Sequence, residues 1–214
     1  RNAPDVDADL SGSGLRWSGY RADALHVQGR LPWRAGNGAL TLEARGVEAG
    51  LALDALRVDA RGAVERLQLE ASARSEGLGT LALRGSANRA AAGWQGEVEG
   101  LRLAIRQKQA WRLEAPARFT QSGSRFTLTR SCLVAEGGSD GLCVAADWPR
   151  EGVSVDGRGL PLSLLAPYLP EREGGRRWAL HGTVDLEGQL RPAGNAWQGH
   201  FTLDSAEGGM RNSE

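Results

Sequence analysis

Apolar and polar residues alternate along most of this chain, with the two-residue period of a β-strand that buries one face. Six segments show the pattern clearly. Their apolar positions are Leu25 and Val27; Leu40 and Leu42; Leu67 and Leu69; Leu81 and Leu83; Val98; and Phe126 and Leu128. Short turns rich in Gly, Asn or Asp separate these segments. The spacing therefore predicts about a dozen strands, mostly antiparallel.

The alternation changes parity between Val98 and Leu101, across Gly100. One extra residue at this point predicts a β-bulge that re-aims the strand. A plain turn between two short strands is the alternative.

So many strands with one apolar face predict an all-β fold, a long, curled, antiparallel-rich sheet, because each apolar face must leave water. A two-layer sandwich with interdigitated side chains explains the alternation equally well. The inward positions are mostly Leu, Val and Ala, and the chain has only 3 Phe and 2 Tyr, so a wide gap between two layers would be hard to fill. The composition favours the curled sheet.

One segment, GLPLSLLAPYLPE at residues 159–171, interrupts the alternation. The spacing of its leucines fits one side of a helix better than a strand, and its prolines limit that helix to roughly two turns. So short a helix must bury its apolar side against the sheet. We therefore predict one short helix near 162–169. Its apolar residues are Leu162, Leu164, Leu165 and Leu169.

The two cysteines, Cys132 and Cys143, are equidistant from Gly137–Gly138. A hairpin that turns there would place them opposite each other on adjacent strands, which predicts a disulfide and an oxidising compartment. A turn at Asp140–Gly141 would change the register, and two reduced buried thiols are the alternative. The chain has no CxxC motif and no histidine near either cysteine, so we predict no metal site.

Composition narrows the classes of partner. Lys+Arg and Asp+Glu both number 26, so the formal net charge is zero and nucleic acid is not an expected partner. No apolar run is long enough to span a bilayer as a helix. The chain starts at Arg1 rather than Met. We interpret residues 1–214 as a single elongated segment, an internal slice of a longer chain.

No catalytic motif appears, and we predict neither enzymatic activity nor a cofactor. The three histidines, His26, His181 and His200, lack the neighbours of a triad and are expected at the surface. Closely spaced carboxylates leave a glycosidase formally open, although such pairs are ordinarily a solvated face. They are Glu97 with Glu99, and Asp185 with Glu187.

Seven tryptophans are present, most of them at strand starts beside Gly or Pro, where a large ring caps the end of a sheet. They are Trp17, Trp33, Trp94, Trp111, Trp148, Trp178 and Trp197. A carbohydrate-stacking stripe is the alternative, so an extracytoplasmic carbohydrate-binding module remains a competing hypothesis.

Residues 125–209 resemble a known family. The order is RFTLTRSCLVAEGGSDGLCVAADW, then VSVDGRGLPLSLLAPYLPE, then WALHGTVDLEGQL and AWQGHFTLDSAEGG. A cysteine pair followed by a Gly-Leu-Pro-Leu segment and two Gly-punctuated strands is similar to the TamB (translocation and assembly module) family. That family is related to the AsmA-like, bridge-like lipid-transport proteins.

The resemblance implies a β-taco, a folded-over sheet with an apolar concave face. It also implies a periplasmic protein that is anchored in the inner membrane and reaches a TamA-like outer-membrane barrel, through regions outside this chain. Members are implicated in phospholipid transport between the two membranes and in outer-membrane assembly.

From this resemblance and the alternation we predict a segment of a hydrophobic conduit for phospholipid acyl chains. The apolar residues of the six segments line its groove, and the leucines of the predicted helix pack its wall or partly occupy the path. A chaperone-like guide for outer-membrane or autotransporter β-strands is the alternative.

Overall fold

In the computed structural model the chain is almost entirely β-strand. The structure describes residues 5–17, 19–34, 36–48, 52–77, 79–105, 110–138, 140–162, 179–194, 196–205 and 208–211. The predicted all-β, antiparallel fold class is confirmed. The chain divides into two compact units, residues 1–124 and residues 125–214, and each is described by itself. The interpretation as one segment of a longer chain stays a prediction.

Unit 1, residues 1–124, is an antiparallel sheet in which strands β1 to β7 pair in chain order. Two short strands then share β7: β8 pairs with residues 102–104, and β9 pairs with residues 93–98. The strands are β1 (Val6–Trp17), β2 (Tyr20–Leu31), β3 (Gly38–Glu48), β4 (Ala52–Ala63), β5 (Arg66–Ser75), β6 (Gly79–Ala90), β7 (Gly93–Ile105), β8 (Ala110–Leu113) and β9 (Ala117–Ser122).

Unit 2, residues 125–214, is built in the same way, and β10 to β14 pair antiparallel in chain order. The final strand, β15, pairs with the first residues of β13, whereas β14 pairs with residues 185–193. The strands are β10 (Arg125–Ala135), β11 (Gly141–Trp148), β12 (Gly152–Pro161), β13 (Ala179–Ala193), β14 (Ala196–Asp204) and β15 (Gly208–Arg211).

The predicted bulge in β7 is confirmed. Leu83 of β6 pairs with Leu101, but Gly85, two residues further along β6, pairs with Val98, three residues back along β7. The extra residue keeps Val98 and Leu101 on the same face of the sheet although their parity differs.

Burial in the described residues is shallow. The buried hydrophobic residues are mostly alanines, and no described side chain is less than 2% exposed. A filled two-layer sandwich would enclose many large side chains completely. The burial therefore favours the curled sheet over the sandwich.

Most of the predicted helix near 162–169 lies outside the described residues. Leu162 follows directly after β12 and is half-buried. Leu164, Leu165 and Leu169 are among the residues that the structure does not describe, so the helix stays a prediction.

Candidate functional site

The register of unit 1 aligns three rows of residues without polar side chains on one face of seven strands. Paired residues of an antiparallel sheet point to the same side, so each row below crosses the sheet on one face. One row runs Leu10, Val27, Leu42, Val58, Ala71, Leu83 and Leu101. The next runs Gly12, Leu25, Ala44, Leu56, Ala73, Leu81 and Leu103.

A third row, on the other side of the first, runs Ala8, Gly29, Leu40, Ala60, Leu69, Gly85 and Val98. We call these three rows the apolar face of unit 1. Every residue in them is aliphatic or glycine, and most are half-buried, whereas Leu10 at the outer strand is 57% exposed. The face is a continuous apolar surface rather than a set of separate patches.

The structure places the predicted groove residues on this face. Leu25, Val27, Leu40, Leu42, Leu69, Leu81, Leu83 and Val98 belong to the three rows, and Leu67 lies beside Leu69 on the same side of β5. Sequence reasoning missed the apolar residues of β4 and the second half of β7, namely Leu56, Val58, Leu101 and Leu103. Their role in binding stays a prediction.

Unit 2 has a corresponding apolar face, which we define by three rows of its register. They are Leu128, Ala146, Val153, Leu190 and Gly199; Ser131, Val144, Val155, Gly188 and Phe201; and Leu133, Leu142, Gly157, Leu186 and Leu203. Phe126, the other predicted residue of this unit, pairs with Trp148 beside the first row. The face is strongly exposed along β14, where Phe201 is 57% and Leu203 is 59% exposed.

The opposite face of each unit is polar and carries cross-strand ion pairs. In unit 1, Arg57 contacts both Glu43 and Asp59, and the Thr41 hydroxyl donates a hydrogen bond to Asp59 over 2.8 Å. The hydrogen bond from Arg57, and then the one from Thr41, hold the pKa of the Asp59 carboxyl below its usual value. Because charged side chains are costly to bury, this face is the one that meets water.

Cys132 and Cys143 lie directly opposite each other on β10 and β11 and form a disulfide. The turn lies near Gly137–Gly138, and the N–H of Ala135 donates to the carbonyl of Asp140. Cys143 also pairs with Asp156, so the disulfide lies on the polar face of unit 2. The two nitrogens of the Arg130 guanidinium donate to Asp156 over 2.6 Å, which raises the pKa of Arg130.

Several of the residues singled out for other chemistry contact neighbouring residues. Glu97 contacts Arg118 and Glu99 contacts Arg84, while Asp185 accepts a hydrogen bond from the N–H of Gly159. His26 is half-buried and lies 2.8 Å from the Ser11 hydroxyl, whereas His181 and His200 are exposed. Among the described residues, no cluster of three or more His, Cys, Asp or Glu side chains could hold a metal. The three carboxylates with partners join neighbouring strands.

The described tryptophans have different surroundings. Trp111 is 5% exposed, whereas Trp17 is 78% exposed and lies beside Tyr20. Trp148 and Trp197 stack with ring centroids 4.2 Å apart, and Trp33 and Trp94 each lie beside Arg89. Trp178 lies outside the described residues. This variety is not what a single carbohydrate-stacking stripe requires.

Two shallow cavities of unit 1, of about 520 and 440 Å³, are lined by residues of both faces. The larger includes Leu83 and Leu101 together with Arg84 and Arg102. Neither cavity belongs to the apolar face alone.

The fold and these faces define a class: an all-β chain whose sheets carry one apolar and one charged side. A family model described as "TamB, N-terminal domain" matches residues 1–213, so the chain belongs to the TamB family. The likeness first noted over residues 125–209 therefore extends through β1 to β9. No curated protein and no solved structure gives a significant match.

TamB-family proteins are associated with the bacterial envelope, with membrane lipids and outer-membrane assembly, and with TamA. In the part of the chain that the structure describes, no helix has the length and apolarity needed to span a membrane.

Proposed function

We propose that the apolar faces of the two units bind phospholipid acyl chains, as parts of a periplasmic conduit between the inner and outer membranes. A linked role in outer-membrane assembly belongs to the same proposal. The single observation that carries it is the set of three rows in unit 1, in which every side chain across seven strands is aliphatic or absent. The proposed role is not enzymatic.

Energetics explain why such a surface is needed. A phospholipid carries roughly 30 acyl CH₂ groups worth about 0.8 kcal/mol each, so exposing both chains to water costs roughly 25 kcal/mol. Unaided transfer through the periplasm is negligible at that cost. A half-buried aliphatic face removes part of this penalty at every position along the path.

The dimensions of unit 1 suit the cargo. Seven strands are separated by six spacings of about 4.8 Å, so the apolar face extends roughly 29 Å across the sheet. The hydrocarbon core of a bilayer is about 30 Å thick, so the acyl chains of one phospholipid extend about 15 Å and fit within this width. Aliphatic lining without hydrogen-bonding groups gives no directional contact, so acyl chains would move along it without a deep energy minimum.

Membership of the TamB family supports proposed partners beyond the lipid. We place the full-length protein in the periplasm, with an inner-membrane anchor and a contact to a TamA-like outer-membrane barrel, both through regions outside this chain.

One observation favours a second candidate, a guide for β-strands of outer-membrane proteins. All residues of β14 are exposed, including Trp197, Phe201 and Leu203, and its partner among the described strands is β13. An exposed, apolar edge strand is a template for pairing with another strand.

Lipid analysis of the full-length protein, purified from the envelope, separates the two candidates. We expect phospholipid to co-purify in at least stoichiometric amounts, because the apolar face would otherwise remain in contact with water. Native mass spectrometry of the same sample measures the bound mass. Unfolded barrel precursors without bound phospholipid would contradict the conduit and support the guide.

A further inference from the structure

Backbone hydrogen bonds join several connections of unit 1 at one end of its strands. The N–H of Val64 donates to the Pro32 carbonyl over 2.8 Å, and the N–H of Glu65 donates to the Trp33 carbonyl over 3.0 Å. The Glu65 carbonyl in turn accepts from the N–H of Arg89 over 2.8 Å. The β2–β3 loop, the β4–β5 turn and the end of β6 are therefore held together by backbone hydrogen bonds.

A cavity of about 1210 Å³ lies beside these hydrogen-bonded strand ends. Its charged lining residues are Arg34, Arg61, Arg66, Arg89 and Glu65, and its amide side chains are Asn37, Gln68, Asn88 and Gln95. We call this cavity the arginine pocket. Four guanidinium groups and four amides are all hydrogen-bond donors, and a single carboxylate opposes them.

The charge of the arginine pocket is only partly offset, by Glu65 beside Arg34 and by the electrostatic interaction of Arg61 with Asp59. On the polar face elsewhere, Arg57, Arg84 and Arg118 each contact a carboxylate. Within the described residues, Arg61 and Arg66 form no salt bridge, and Arg34 meets Glu65 only at 3.8 Å. A chain with no net charge thus concentrates positive charge around one cavity.

Aromatic rings restrict one of these arginines. The guanidinium carbon of Arg89 lies 5.4 Å from the ring centroid of Trp33 and 5.9 Å from that of Trp94. Flanking rings lower the conformational entropy that a long side chain loses when it binds a ligand.

We propose that the arginine pocket binds a phosphate ester. Planar guanidinium groups match the oxygens of a phosphate with paired, charge-assisted hydrogen bonds, and the amides supply further donors. The register puts Arg61, Gln68 and Asn88 on the polar face of the sheet, opposite the apolar face of unit 1. Arg89, which pairs with Trp94 near the end of β6, lies on the apolar side. Most of the site is thus on the side opposite the three apolar rows, and the ester belongs either to a lipid headgroup or to a soluble compound.

Calorimetric titration of the purified full-length protein tests the pocket. One arm uses glycerol 3-phosphate and the other uses short-chain phosphatidylglycerol, with short-chain diacylglycerol as the lipid that lacks phosphate. We expect each of Arg61→Gln and Arg66→Gln to weaken binding about tenfold, the effect of one charge-assisted hydrogen bond. Arg74→Gln changes an exposed arginine of β5 outside the pocket, and we expect binding within about twofold of the wild type.

The arms also identify the source of the phosphate. Binding of glycerol 3-phosphate that the two pocket variants weaken supports a soluble ester, and such binding of phosphatidylglycerol alone supports a headgroup. If neither phosphate compound binds, or if the pocket variants bind as the wild type does, the proposal is wrong. Diacylglycerol binding that is unchanged in the pocket variants reports on the apolar face instead. Loss of diacylglycerol binding by the wild type would therefore count against acyl-chain binding and not against the arginine pocket. Circular dichroism checks that each variant is folded.

Discussion

Replacing Leu69 or Leu83 with arginine abolishes the function of the full-length protein, and Leu128→Arg does the same in unit 2, if the apolar faces carry acyl chains. Leu69 and Leu83 lie in adjacent rows of the apolar face of unit 1. A guanidinium in a hydrocarbon environment costs about 2.5–3.5 kcal/mol, which places a local barrier in the path. The measurement is complementation of the outer-membrane barrier in cells that lack the protein.

Matched controls lie on the polar face of the same strands. Ser72→Arg in β5 and Ala82→Arg in β6 add the same charge there, where both native side chains are exposed. We expect these variants to complement fully, and circular dichroism to show β-structure in all five. Full complementation by Leu69→Arg and Leu83→Arg would contradict the conduit.

The Cys132–Cys143 disulfide should contribute about 3 kcal/mol to the stability of unit 2. The two cysteines are separated by 11 residues in sequence. A crosslink that closes a loop of this size lowers the conformational entropy of the unfolded chain, which raises the free energy of unfolding by about 3 kcal/mol. Urea unfolding with and without a reductant, followed by circular dichroism, measures the difference.

A double variant, Cys132→Ser with Cys143→Ser, is the control for the reductant. It should unfold at the lower urea concentration of the reduced wild type and should not respond to reductant. Identical unfolding curves for oxidised and reduced wild type would contradict a stabilising role of the disulfide.

Much of the apolar face was accessible from sequence because a strand has a side-chain period of two. Leu67 and Leu69 therefore share a face of β5, whichever strand pairs with β5. The bulge was also accessible, since the parity change between Val98 and Leu101 is visible in the letters. In β4 the signal is obscured: Leu53 and Leu56 have opposite parity, and alanines occupy both faces. Leu56 and Val58 were missed for that reason.

The arginine pocket was not accessible from sequence. Arg34, Arg61, Arg66 and Arg89 come from three separate parts of the chain, and only the backbone hydrogen bonds between the strand ends bring them to one cavity. Single arginines in turns and at strand ends carry no sequence pattern that distinguishes a ligand site from a solvated surface.

Photo-crosslinking along β5 tests the central claim most directly. A crosslinking side chain is placed in the full-length protein at Leu67, Leu69 and Ala71 on the apolar side, and at Glu70, Ser72 and Arg74 on the polar side. Mass spectrometry then identifies the adducts. The account predicts phospholipid adducts at the three apolar positions and none at the three polar ones. Equal phospholipid labelling of both sets, or protein adducts alone on the apolar side, would contradict it.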